Sequence, residues 1–145
     1  MDLSAPALAP SPRLPDWRPR LAAYVARVAR LPFRPGQHDC ALFAAGAVEA
    51  MTGADLAAPW RNTYRRLSEG QAALQASGFE DHLALAASLF PEVPAALAQA
   101  GDLAVFPSDG RGAALGIVQG AAAYVLRPEG LALVSRLHIE RAFSV

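Results

Sequence analysis

The stretch Asp39–Met51 constrains this chain more than any other. Leu42, Phe43, Ala44, Ala45, Ala47, Val48, Ala50 and Met51 fill it and leave almost no polar face. A helix that is apolar nearly all round has to be enclosed by other elements, so this one is central. Asp39 is suited to cap its start, and Gly53 to end it. The many small side chains let neighbouring elements approach closely.

What surrounds that helix changes character along the chain. Asp16 is a plausible N-cap for an earlier helix, with Pro19 tolerated in the first turn. Trp17, Leu21, Tyr24, Val25 and Val28 recur there at helical spacing, and the segment is expected to end near Leu31-Pro32. Phe33–Gln37 reads as a loop, because Pro and Gly interrupt both periodicities. Residues 54–100 read as mainly helical, with segments Ser68–Ser77 and Glu80–Leu89 closed by Gly78 and Pro91. From Gly101 the pattern becomes short apolar runs: 102–106, 114–118, 122–126 and 130–134. The separators Pro107–Gly110 and Arg127–Gly130 suit tight turns, with Asp109, Gly110 and Gly112 in the first of them. Ile139–Val145 is expected to add an edge strand. Helices first and strands last predict an α+β fold with an antiparallel sheet.

At 145 residues the chain fits one domain with one core. Residues 1–15, rich in Pro, Ala and Ser, read as a flexible arm, and residues 16–145 as the single domain. Hydrophobic residues make up 53%, which argues against wholesale disorder. Basic and acidic side chains number 13 each, so there is no broad field for a phosphate backbone or an anionic membrane. Nucleic acid is disfavoured as a partner. The arginine clusters Arg18/Arg20 and Arg61/Arg65/Arg66 read as solvated faces.

No run approaches the ~18 apolar residues that span a bilayer, and the first residues lack the apolar core of a signal peptide. Synthesis in the cytoplasm is the expectation. One cysteine and three histidines match no metal motif, and no cofactor is expected.

That one cysteine, Cys40, falls in the first turn of the central helix. A helix N-terminus favours a thiolate through its unpaired N–H groups, and those groups can also hold an oxyanion. The alternative is a small buried hydrophobe, a common role for free cysteine. His38 lies two residues upstream, where it either acts on the thiol, or caps the helix or bonds the loop. His138 precedes the last strand and could approach the sheet edge. His82, in an alanine-rich helix, reads as a half-buried surface residue. Asp39 is expected to cap, and Asp102 to order the turn into the first strand of the sheet.

Three motifs carry a family resemblance. Pro32-Phe-Arg-Pro-Gly-Gln-His-Asp-Cys-Ala-Leu-Phe43 resembles the nucleophile segment of NlpC-type cell-wall hydrolases, which are papain-like cysteine peptidases. Ala100-Gly-Asp-Leu-Ala-Val-Phe106 resembles that family's first strand. Ala114-Leu-Gly-Ile-Val-Gln-Gly120 resembles its second. The resemblance covers roughly residues 17–145 and implies a papain-like NlpC-type core. Trp17, His38-Asp39-Cys40 and Ala50-Met51-Thr52-Gly53 further resemble short phage and prophage proteins encoded near tail genes. That likeness implies incorporation in a virion or phage-like particle, with other tail-tip proteins as partners.

The pattern breaks at one position. The family's general base is the histidine that opens the second strand, and Ala114 stands there; alanine accepts no proton. The expectation is therefore a non-catalytic NlpC-like structural component of a tail tip. The alternative is a hydrolase of peptidoglycan peptides with Cys40 as nucleophile and His38 or His138 as base. A third reading is a small-molecule or peptide binder that uses the old substrate groove.

Overall fold

The computed structural model describes residues 9–107 and 113–145. Helices come first: α1 (Trp17–Val28), α2 (Cys40–Thr52), α3 (Leu67–Ala76) and α4 (His82–Leu89). Strands follow: β1 (Glu92–Val93), β2 (Leu103–Phe106), β3 (Ala114–Val118), β4 (Ala122–Arg127), β5 (Gly130–Ser135) and β6 (Arg141–Phe143). They form one sheet in the order β1-β6-β2-β3-β4-β5, every neighbouring pair antiparallel. The α+β fold with an antiparallel sheet is as the sequence pattern requires.

The central helix begins and ends where its chemistry says. Asp39 is extended, and its carboxylate accepts the Leu42 N–H at 3.0 Å, satisfying one of the open donors of the first turn. Gly53 closes α2 at φ 84, a left-handed conformation that glycine adopts without a steric penalty. Between these caps, Phe43, Ala47 and Met51 are fully buried. Phe43 stacks on Tyr24 of α1 at 5.7 Å, and the Tyr24 hydroxyl donates to the Phe43 carbonyl at 2.9 Å.

The start of α1 differs from expectation. The Asp16 side chain caps nothing; it accepts instead from Arg20 at 2.8 Å, one turn along. The helix stops at Val28, and a single turn bond from Leu31 N–H to the Val28 carbonyl continues toward Pro32.

Alternation along the strands sorts the core into two layers. Leu103, Val105, Leu115, Ile117 and Leu126 pack toward the helices. Ala104, Phe106, Val118, Val125 and Ala142 pack on the other face, closed by Ala98 and Ile139 beside the 3-10 turns Ala95–Leu97 and Arg136–His138.

β6 is not an edge strand. It lies between β1 and β2, pairing Phe143 with both Glu92 and Leu103. Ala142 and Phe143 are fully buried, and a strand covered on both faces has to find neighbours on both sides. The outer neighbour, β1, is two residues between Pro91 and Pro94, too short to leave a periodicity. The turn expected at 107–110, with Asp109, Gly110 and Gly112, lies outside the described residues apart from Pro107.

The ordered body also begins before Asp16. Leu14 N–H bonds the Met51 carbonyl at 2.8 Å. Arg13 donates to the carbonyls of Val145 at 3.0 Å and Ala100 at 2.9 Å, and to the Asp102 carboxylate at 3.0 Å. Its guanidinium also lies 4.2 Å from the centre of the Trp17 ring. The domain-proximal end of the expected arm is thereby held against the domain.

Candidate functional site

The site is organised by Asp39 rather than by the cysteine beside it. Asp39 is 1% exposed, and it makes no ion pair among the described residues. Three donors hold its carboxylate: Leu42 N–H at 3.0 Å, Gly36 N–H at 3.0 Å and the Tyr64 hydroxyl at 2.5 Å. A buried carboxylate needs such partners. Gly36 sits at φ 83, and a Cβ there would lie 1.8 Å from the Tyr64 carbonyl oxygen, so the loop closes only around glycine. Burial, and then the bond to Asp39, push the Tyr64 phenol pKa upward.

Arg34 and His38 pair through two backbone bonds of 2.8 Å, a small hairpin that brings the chain into the cap. The segment 34–39 is thus a rigid bracket for the first turn of α2.

Cys40 follows directly. The residue is half-buried, but its sulfur is surrounded by protein, and that burial pushes the thiol up to about 11. The Leu115 backbone of β3 pulls the other way, the Asp39 carboxylate adds to the rise, and the amides of Ala41 and Cys40 oppose it. The expectation that the helix N-terminus lowers this thiol is corrected: burial outweighs the amides, and the cap itself is an anion. At neutral pH Cys40 is a thiol.

None of the expected bases is placed to change that. His38 turns toward the core, meeting Phe43 edge-on at 6.3 Å. Its Nε2 is buried without a hydrogen-bond partner among the described residues, so the ring neither caps the helix nor bonds the loop through that atom. Burial lowers its pKa, partly offset by Asp39 and by the Val28 carbonyl. It lines a cleft of about 1050 Å³ between α1 and α2, together with Arg27, Arg34, Glu49 and Arg61. His138 is exposed on the 3-10 turn whose neighbour Ile139 packs on the far face of the sheet. The sheet therefore lies between it and α2.

Position 114 is unsuited twice over. Ala114 pairs with Phe106 and packs with it on the far face. Ala113 packs instead with the layer facing the helices.

The imidazole that reaches this strand end in the hydrogen-bond pattern is one that no sequence motif singles out. His82 Nε2 lies 2.9 Å from the Ala113 carbonyl, tying α4 to the start of β3. It also stands at the rim of an apolar cavity of about 80 Å³, with Ala41, Trp60, Tyr64, Leu74 and Leu115 among its walls. No sequence signal joins His82 to Ala113, or Tyr64 to Asp39, at sequence separations of 31 and 25.

Among the described residues no group of acidic, histidine or cysteine side chains could hold a metal ion, and no helix is long and apolar enough to cross a membrane. No curated protein matches the chain. Residues 12–145, from just before the Arg13 clamp through β6, match a family described as a domain of unknown function (DUF6950), and the chain belongs to that family.

Proposed function

We propose that this domain is a non-catalytic, NlpC-like relative of the papain-like hydrolases that serves as a structural component of a phage or phage-derived tail tip. The observation that carries the non-catalytic part is the state of Cys40. It keeps the position of a nucleophile, at the first turn of a buried helix against a strand, but its thiol is raised to about 11 and its polar surroundings are amides and a carboxylate. Nucleophilic catalysis by cysteine needs the thiolate and a base to make it. The residue at 114 is an alanine that packs on the far face of the sheet. The tail-tip part is supported by the resemblance of His38-Asp39-Cys40 and Ala50–Gly53 to proteins encoded near tail genes.

Iodoacetamide tests the first part. Two units of elevation leave about one hundredth of the thiolate, and the higher basicity of that thiolate recovers part of the rate. Alkylation of Cys40 at pH 7.5 is expected roughly tenfold to a hundredfold slower than that of a free thiol, with no release of peptides from peptidoglycan. Rapid labelling, together with turnover that disappears in Cys40→Ala, would establish the hydrolase instead. Mass spectrometry of purified particles tests the second part: the chain is expected in the tail fraction, and its absence there would end that assignment.

A further inference from the structure

The two edges of the sheet are built differently. At one edge β1 is two residues long, flanked by Pro91 and Pro94, and carries Glu92 paired with Arg141 at 2.8 Å. Short length, proline and charge are the devices that stop an edge from pairing with another chain. At the other edge β5 has none of them. Gly130-Leu-Ala-Leu-Val-Ser135 contains no charge and no proline, and pairs with β4 over six consecutive residues with no bulge. Leu133 on this strand is 62% exposed.

The hydrogen-bond phase of β5 follows from its turn. Arg127 pairs with Gly130 across two residues, and a two-residue hairpin closes on a hydrogen-bonded pair. Even-numbered residues of β5 therefore bond inward to β4. The bond from Arg136 N–H to the Ala121 carbonyl at 3.0 Å continues that phase. The N–H and C=O groups of Leu131, Leu133 and Ser135 consequently point out of the sheet, a ladder of three donors and three acceptors that no strand pairs with among the described residues.

We infer that β5 pairs with β5 of a second copy of this chain, antiparallel about a two-fold axis through Leu133, joining the two sheets into one. That axis sets Leu133 opposite Leu133 of the second copy, and Leu131 opposite Ser135. All six outward groups of each strand are then satisfied. A two-fold interface requires a self-complementary strand, and this one places no like charges opposite each other. The exposed leucine is covered by its own symmetry mate.

Sedimentation or light scattering over a concentration series is expected to give twice the 15.2 kDa of one chain. Leu133→Lys sets two like charges on the axis and is expected to sediment as a folded monomer, with the wild-type unfolding midpoint recovered at dilutions where the wild type is itself monomeric. Leu133→Glu is expected to do the same alone, and an equimolar mixture of the two variants to recover the dimer mass. Leu137→Lys, at a leucine 89% exposed but off the strand, is expected to leave the dimer intact. A wild-type chain that stays monomeric at high micromolar concentration overturns the inference. So does a dimer that survives both Leu133 variants, or a Lys/Glu mixture that remains monomeric while each variant is folded.

Discussion

Asp39 shows how one side chain can define the geometry around a neighbour. Its oxygens hold the Leu42 amide, the Gly36 amide and the Tyr64 hydroxyl, so the loop, the helix start and a distant segment converge on one carboxylate. Asp39→Ala removes a cap and leaves buried donors unpaired, and is expected to cost about 3 kcal/mol in urea unfolding. Tyr64→Phe removes one donor from a carboxylate that keeps two others, and should cost about 1 kcal/mol. Gly36→Ala forces a Cβ into the Tyr64 carbonyl and is expected to be at least as damaging as Asp39→Ala. The capping role of Asp39 was legible in the sequence because a cap is a local bond across three residues. Its bond to Tyr64 was not, since nothing local links a loop aspartate to a tyrosine beyond the following helix.

The elements themselves were largely legible, and their neighbours were not. α2 could be bounded from Asp39 and Gly53, and β2 to β5 from apolar runs between turn residues. The position of β6 escaped because three residues carry too little pattern to say whether one side or two are paired. The facing of β3 escaped as well: a period of two divides Ala113 from Ala114, but only the packed structure says which of the two sees the helices. That division makes a prediction. Ala113→His puts an imidazole on the α2 side of the sheet and is expected to raise the alkylation rate of Cys40 about tenfold near neutral pH, by favouring its thiolate. Ala114→His, on the far face beside Phe106, should leave the rate unchanged. Paired pH–rate profiles with iodoacetamide would check both.

Taken whole, the molecule carries neutral groups that resist ionising, and its stability should depend on pH accordingly. The Cys40 thiol rises from 9.0 to about 11, and burial lifts the Tyr24 phenol from 10.0 to about 12. In each case the unfolded chain loses its proton first. The stabilisation is therefore complete below pH 9 and drains away between 9 and 12. His38 works at the other end: its folded value lies below 6.5, so the unfolded chain gains a proton first and stability falls as the pH drops beneath 6.5. Urea midpoints measured from pH 5 to 11 are expected to fall on both flanks. Cys40→Ser should flatten the onset of the alkaline limb, and His38→Gln the acid one.

The Arg13 clamp has a mechanical consequence. Its guanidinium spans the Val145 carbonyl, the Ala100 carbonyl and the buried Asp102, so the last residue of β6's extension and the entry to the first helix are latched to one point. Tension applied between residue 13 and residue 145 loads that latch before it reaches the sheet. Arg13→Ala leaves Asp102 without its cation and should lower stability by about 2 kcal/mol. In a single-molecule pulling experiment with handles at those two positions, the same change should abolish a first, low-force yielding event and leave the main rupture of the sheet in place.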